Sequence, residues 1–186
     1  MSIKVNRKEA LDSIMANVQD GSMVSHMFAT EAIMRTLAKK LGEHEEEWGL
    51  TGLLHDIDVE LIEGDMSSHS RLGADLAREL GASEAMAHAI LCHNEAHGIP
   101  RETRLDKALF CADTLSNLIT AAALVHPDKL SGLTAKLVMK RLQEKKSAAG
   151  ANRKNILSCQ EIGLDLEEVI TLGIEAMKGI ASELRL

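Results

Sequence analysis

The chain has 186 residues, 45% of them hydrophobic, enough for one globular domain with its own core, which excludes a disordered chain. Aromatic residues are only 2%, with no Tyr, a balance that favours packed helices over sheet. The formal net charge of −7 argues against non-specific binding to nucleic acid or an acidic membrane, so neither is expected as a partner.

Asn6, with Glu9 three residues later, predicts a capped first helix with Leu11, Ile14, Met15 and Val18 on its apolar face. A second helix is expected from about Met23 to Leu41, with Met23, Met27, Met34, Leu37 and Leu41 on one stripe, Thr30 as a polar notch and His26 beside it. Gly42 ends it, and a third helix from Glu43 to Leu54 delivers His55-Asp56. The acidic segment 58–67 reads as a loop over that pair. Ser67 or Ser68 is expected to cap a fourth helix carrying His69, and Ser83 a fifth that ends near His93.

A sixth helix, about Leu105 to Val125, is apolar nearly all round, so Asp113 is expected to be a buried carboxylate in need of a partner. Leu130 to Lys145 reads as a basic amphipathic helix and 147–155 as a loop. Asp165 is expected to cap a last helix reaching about Leu184. Cys92, Cys111 and Cys159 are widely spaced and form no CxxC pair. With no apolar leader and no run of about 18 apolar residues, they predict a soluble, cytoplasmic protein with reduced thiols.

Imidazole and carboxylate are both good ligands for divalent transition metals. His26, His55-Asp56, His69, His93 and Asp113 fall on different predicted elements, mostly among apolar neighbours, as metal ligands in helical proteins do. Their order resembles the HD superfamily of metal-dependent phosphohydrolases. The segments His69-Ser-Arg-Leu-Gly73-Ala74 and Ile90-Leu-Cys-His93-Asn-Glu resemble those of its HDIG-type branch. The motifs cover roughly 20–125, with the helices of 126–186 expected to pack on that core.

The periodicity predicts one all-helical domain of about seven to nine helices over residues 1–186, and the resemblance implies that it is a single all-α HD-domain bundle. The resemblance also implies His26, His55, Asp56 and Asp113 as ligands of one metal, and His69 and His93 with a bridging Asp56 as ligands of a second. The cofactor is then one or two divalent ions (Fe, Mn, Co, Ni or Zn). The expected reaction is hydrolysis of a phosphate ester on a nucleotide or small phosphorylated metabolite by metal-activated water. The alternative is a metal-containing binding or sensor module that turns nothing over.

The branch commonly has Gly-Lys where this chain has Asp58-Val59, which removes a phosphate-binding lysine and makes Asp58 a candidate acid/base beside His55 and Asp56. Some relatives carry His-His where this chain has His93-Asn94. Asn94, His97, Arg101, Arg104 and Arg153 are the candidate substrate contacts, with the Lys145-Lys146 pair as further positive charge. A homodimer is left open.

Overall fold

The computed structural model describes residues 3–143 and 153–186, except for the side chain of Arg153. These residues form ten α-helices, three short 3-10 turns and no strand. The helices are α1 (Arg7–Asn17), α2 (Gly21–Leu41), α3 (Glu45–Leu54), α4 (Arg71–Glu79) and α5 (Glu84–His93), then α6 (Arg104–Val125), α7 (Ala135–Gln143), α8 (Arg153–Leu157), α9 (Leu166–Gly179) and α10 (Ala181–Leu184). The all-α expectation holds; ten helices are one more than the upper end of the expected seven to nine, and the short α8 and α10 are the two that no sequence signal marks.

The two longest helices, α2 and α6, form the centre; α3, α6 and α9 pack on α2, and α5 packs on both α4 and α6. The Asp20 carboxylate accepts the Ser22 N–H at the start of α2, and Gly42 closes the helix in the left-handed region at φ 71°. Between these ends Met27, Ile33, Met34 and Leu37 are fully buried. Each contributes roughly 1.5–3 kcal/mol of apolar burial, so the stripe holds α2 in the core. Thr30 is buried in the same stripe, as its spacing predicts.

Gly52 sets the α2–α3 distance. A Cβ at this position would lie 2.9 Å from the Thr30 carbonyl oxygen and 2.9 Å from Met34 Cγ. Only a glycine lets the α3 backbone approach so closely, and that approach carries His55, at the end of α3, up to α2.

α1 is capped by the expected Asn6–Glu9 box, but Met15 is 52% exposed while Ile14 and Val18 are buried. Glu31 on α2 is buried between two guanidinium groups. Arg7 grips it bidentately at 2.8 and 3.0 Å, and Arg35 donates to it at 2.9 Å. This network ties α1 to the back of α2, and the sequence stripe gave no sign of it.

Segment 58–67 is a run of turns, as expected of a loop, but it is tied into the core. Ile57 and Ile62 are core residues, and Asp58 is fully buried. The Glu60 carboxylate accepts the N–H groups of Gln19 and Asp20, pinning the turns to the start of α2. α4 begins at Arg71, not at Ser68, so His69 precedes the helix. The cap comes from a distance, because Asp58 Oδ2 accepts the Ser70 N–H at 2.7 Å and the Gly73 N–H at 2.9 Å. A buried carboxylate at a helix N-terminus satisfies orphan donors and favours the helix dipole. Ser70 takes φ 70° to make this possible.

α6 is long and apolar enough by composition to cross a membrane, but most of its apolar surface is buried against its neighbours. The expected basic helix is split into a 3-10 turn (Lys129–Gly132) and α7, and its predicted end at Lys145 lies outside the described residues, as do Lys146 and 147–152. The last helix, capped by Asp165 as expected, breaks at Ile180 into α9 and α10.

Candidate metal centre

Four histidines and two aspartates from five segments converge. His26 comes from the second turn of α2, His55-Asp56 from the end of α3, His69 from the approach to α4, His93 from the last position of α5 and Asp113 from the middle of α6. His26 Nε2 lies 3.1 Å from His55 Nε2 and 3.2 Å from Asp113 Oδ1. Asp56 stands between the two halves. Its Oδ2 is 3.2 Å from His55 Nε2 and 3.5 Å from His26 Nε2, while its Oδ1 is 3.4 Å from both His69 Nε2 and His93 Nε2.

The second nitrogen of every ring is already engaged. His55 Nδ1 donates to the Gly52 carbonyl at 2.8 Å and His93 Nδ1 to the Ile90 carbonyl at 2.6 Å. His69 Nδ1 donates to Asp58 Oδ1 at 3.0 Å. The Ser116 hydroxyl donates to the Asp113 carbonyl, so at 2.9 Å it accepts from His26 Nδ1. Carbonyl and carboxylate oxygens only accept, which fixes a proton on Nδ1 and turns each Nε2 inward. Sequence reasoning missed Ser116, and a serine one turn after Asp113 carries no signal of its own.

Burial opposes a charge on His26, but hydrogen bonds to Asp113 and Asp56 outweigh it and push its pKa up to about 10. Burial likewise opposes ionisation of Asp56. The facing charge of His55 and the hydrogen bonds from His26, His55 and His93 nevertheless hold its carboxyl well below the usual range. For Asp113 burial is again the opposing effect, and the His26 hydrogen bond leads those that lower it. The cluster is thus two carboxylates held together by protonated imidazole, and no Lys or Arg among the described residues pairs with either. A divalent cation fits that charge and donor set better than a proton does. His26, His55 and Asp113 place donor atoms within 4.8 Å of one another, as do His55, Asp56 and His93.

A cleft of about 420 Å³ opens on the His26, Asp56 and Asp113 side. Asp113 is 25% exposed at its wall, so the expectation of a buried carboxylate is corrected to a half-buried one: the helix is apolar around it, but the cleft reaches it. Ser22, Ser25, Asn117 and Thr120 supply neutral polar lining, and Leu124 and Leu184 the apolar part.

Among the described side chains, the expected substrate contacts Asn94, His97, Arg101 and Arg104 do not line this cleft. Asn94 Nδ2 donates to the Met66 and His69 carbonyls, and His97 Nε2 donates to the His69 carbonyl at 2.6 Å, so both hold the strand of chain that carries His69. Arg101 stacks 3.6 Å from the centre of the Phe110 ring, and Arg104 pairs with Glu43. The Arg153 side chain lies outside the described residues. Asp58, expected as an acid/base, is shut away from solvent with its two oxygens committed to His69, Ser70 and Gly73. It orients a ring instead of meeting a substrate.

The family model for the HD domain matches residues 23–118, just over half of the chain and the whole of this cluster. The chain belongs to the HD domain family. Its similar curated proteins include Ribonuclease Y of Oleidesulfovibrio alaskensis, 32% identical over 95 residues, which are 51% of this chain and 18% of that protein. Ribonuclease Y of Lawsonia intracellularis is 31% identical over 103 residues, 55% of this chain and 20% of that protein. Ribonuclease Y of Sulfurovum sp. is 32% identical over 94 residues, 50% of this chain and 18% of that protein. This HD domain chain therefore spans about a fifth of the length of these relatives. No solved structure matches it. The expectation that nucleic acid is no partner is overturned, because the matched relatives are ribonucleases by name. Net charge is a weak guide to this, since it describes a whole surface and not one cleft.

Proposed function

We propose that the chain is a metal-dependent hydrolase of phosphodiester bonds, with His26, His55, Asp56 and Asp113 holding one divalent ion and His69 and His93 sharing Asp56 with a second. The observation that carries this reading is the division of the Asp56 carboxylate, one oxygen facing His26 and His55 and the other facing His69 and His93. Divalent ions held there would supply an activated water at neutral pH and a Lewis acid for the phosphoryl oxygens.

The protein's own part is placement. Engaged Nδ1 atoms keep the four rings from turning, so the centre is preorganised. The Ser22, Ser25, Asn117 and Thr120 side chains offer hydrogen bonds to phosphate and sugar oxygens, and Leu124 and Leu184 an apolar surface for a base. The cleft volume suits about one nucleotide. Since the relatives' names point to ribonucleic acid, the proposed substrate is a phosphodiester with one ribonucleotide seated in the cleft.

The test is a panel of short oligoribonucleotides, small nucleotide diesters and phosphomonoesters, assayed with Mn, Fe, Co, Ni or Zn. Diester turnover that disappears together with bound metal in Asp56→Ala is the expected result. Turnover that survives loss of the metal overturns the mechanism. Stoichiometric metal with tight nucleotide binding and no product from any diester overturns the enzyme reading in favour of a binding module.

A further inference from the structure

A second set of metal-ligating atoms lies on another face of α5. His88 and Cys92 are four residues apart on that helix and share one side of it, whereas His93 projects elsewhere. Asp106, in the first turn of α6, reaches this side, with Oδ2 3.2 Å from His88 Nδ1. Donor atoms of His88, Cys92 and Asp106 all lie within 4.8 Å of one another.

Asp106 is fully buried, and its two oxygens are used unequally. Oδ2 caps α6 by accepting the Glu102 and Thr103 N–H groups, each at 2.9 Å. Oδ1 is buried and has no hydrogen-bond partner. A buried carboxylate oxygen left unsatisfied is costly, and capping needs only the other one. Helix capping and the His88 contact both fall on Oδ2, so they account for one oxygen of this side chain and leave the buried Oδ1 beside the Cys92 thiol unaccounted for.

We propose that His88, Cys92 and Asp106 form a second binding site for a divalent transition metal of the zinc class, separate from the centre around Asp56. One nitrogen, one sulfur and one oxygen donor suit Zn(II) or Co(II) and disfavour Mg or Ca, which take oxygen alone. On binding, the Cys92 thiol, whose pKa burial and the neighbouring Asp106 push up to about 12, would give its proton to solvent water, and lone pairs from sulfur, His88 and an Asp106 carboxylate oxygen would meet the ion. Water fills the fourth position. Donors on one tetrahedral zinc sit about 3.3–3.6 Å apart, within reach by small side-chain rotations. His88 is 36% exposed, which gives the ion a way in. The bound ion would tie the start of α6 to α5 at Cys92, the residue immediately before His93 of the other centre.

Cobalt(II) added to chelator-stripped protein tests this, because a sulfur-to-cobalt charge-transfer band in the near ultraviolet reports thiolate ligation and the centre around Asp56 has no sulfur. The band should appear in the wild type and in His55→Ala, vanish in Cys92→Ser and be displaced by zinc. Asp106→Asn, which keeps a capping oxygen, and His88→Ala should each weaken the cobalt affinity by about tenfold or more. Circular dichroism confirms that each variant is folded, and if Cys92→Ser is not, the half-exposed His88→Ala decides. A folded wild type with no band overturns the proposal. So does a band that survives Cys92→Ser, which would place the ion on Cys111 or Cys159, or one that is unchanged in both His88→Ala and Asp106→Asn.

Discussion

Asp58 holds His69 in place: its fully buried carboxylate accepts the ring's Nδ1 proton at 3.0 Å and so aims Nε2 at Asp56. The same carboxylate caps α4 through the Ser70 and Gly73 N–H groups. One side chain thereby sets both the start of a helix and the direction of a metal donor.

Asp58→Asn keeps an acceptor and the volume but removes the charge. Metal affinity at the His69 and His93 half should fall about 10- to 100-fold, the usual effect of losing a partner behind a ligand. Asp58→Ala should also cost about 1–3 kcal/mol of stability for buried donors left unsatisfied. Metal titration beside urea unfolding separates the two effects. Unchanged metal affinity in the folded Asn variant would falsify the orienting role.

Protons and metal compete for His26. Its pKa, raised from the ordinary 6.5 to about 10, means that its proton stabilises the metal-free protein fully below about pH 6.5 and that this contribution is lost as pH rises through about 10. Asp56 and Asp113 are depressed from 3.8, so their contribution is present above 3.8 and is lost as pH falls through their lowered values. Melting curves of chelator-stripped protein should therefore show a difference between wild type and His26→Asn that shrinks in alkali. Metal affinity should rise across roughly pH 6 to 9 as the competing proton is given up. An affinity independent of pH in that range would count against His26 as a ligand.

Gly52→Ala should act on the centre from outside it. The new Cβ would meet the Thr30 carbonyl and Met34 at 2.9 Å, and a helix backbone cannot yield as a flexible side chain can. Overpacking of this kind costs about 1–3 kcal/mol, and relief by moving α3 would carry His55 away from His26. Lower thermal stability together with weaker metal binding is the expected pair. A loss of stability with full metal affinity would show that α3 does not move.

Glu31→Ala is the control for a purely structural loss. Arg7 and Arg35 are 43% and 22% exposed, so their charges reach water once Glu31 is gone. The expected cost is about 1–3 kcal/mol, below that of a fully buried pair. Denaturant unfolding measures it, and metal content should be unchanged. Metal loss in the folded variant would mean that the network also supports the centre.

Much of the scaffold was legible because local signals agree with the fold. Asn6, Ser83 and Asp165 cap the helices that their spacing predicts, and the α2 stripe of Met27, Met34 and Leu37 is buried as its period requires. The start of α4 was misplaced because its cap comes from Asp58, twelve residues before Ser70, and not from a neighbouring serine. Asn94 and His97 stand out in the sequence by their position next to His93, and Arg101 by its charge, but none of the three lines the cleft. Their partners are backbone carbonyls and an aromatic face that no linear spacing reveals.

The sequence by itself determined that this is a helical chain and which six side chains compose the candidate centre, because helical periodicity and the order of donor residues are written along one dimension. Only the tertiary structure decided how Asp56 divides its two oxygens, that Asp58 serves His69, and that the cleft reaches Asp113. Those relations depend on angles and distances between α2, α3, α5 and α6. Close packing at Gly52 and hydrogen bonds across long separations fix them, and neither leaves a local pattern in the chain.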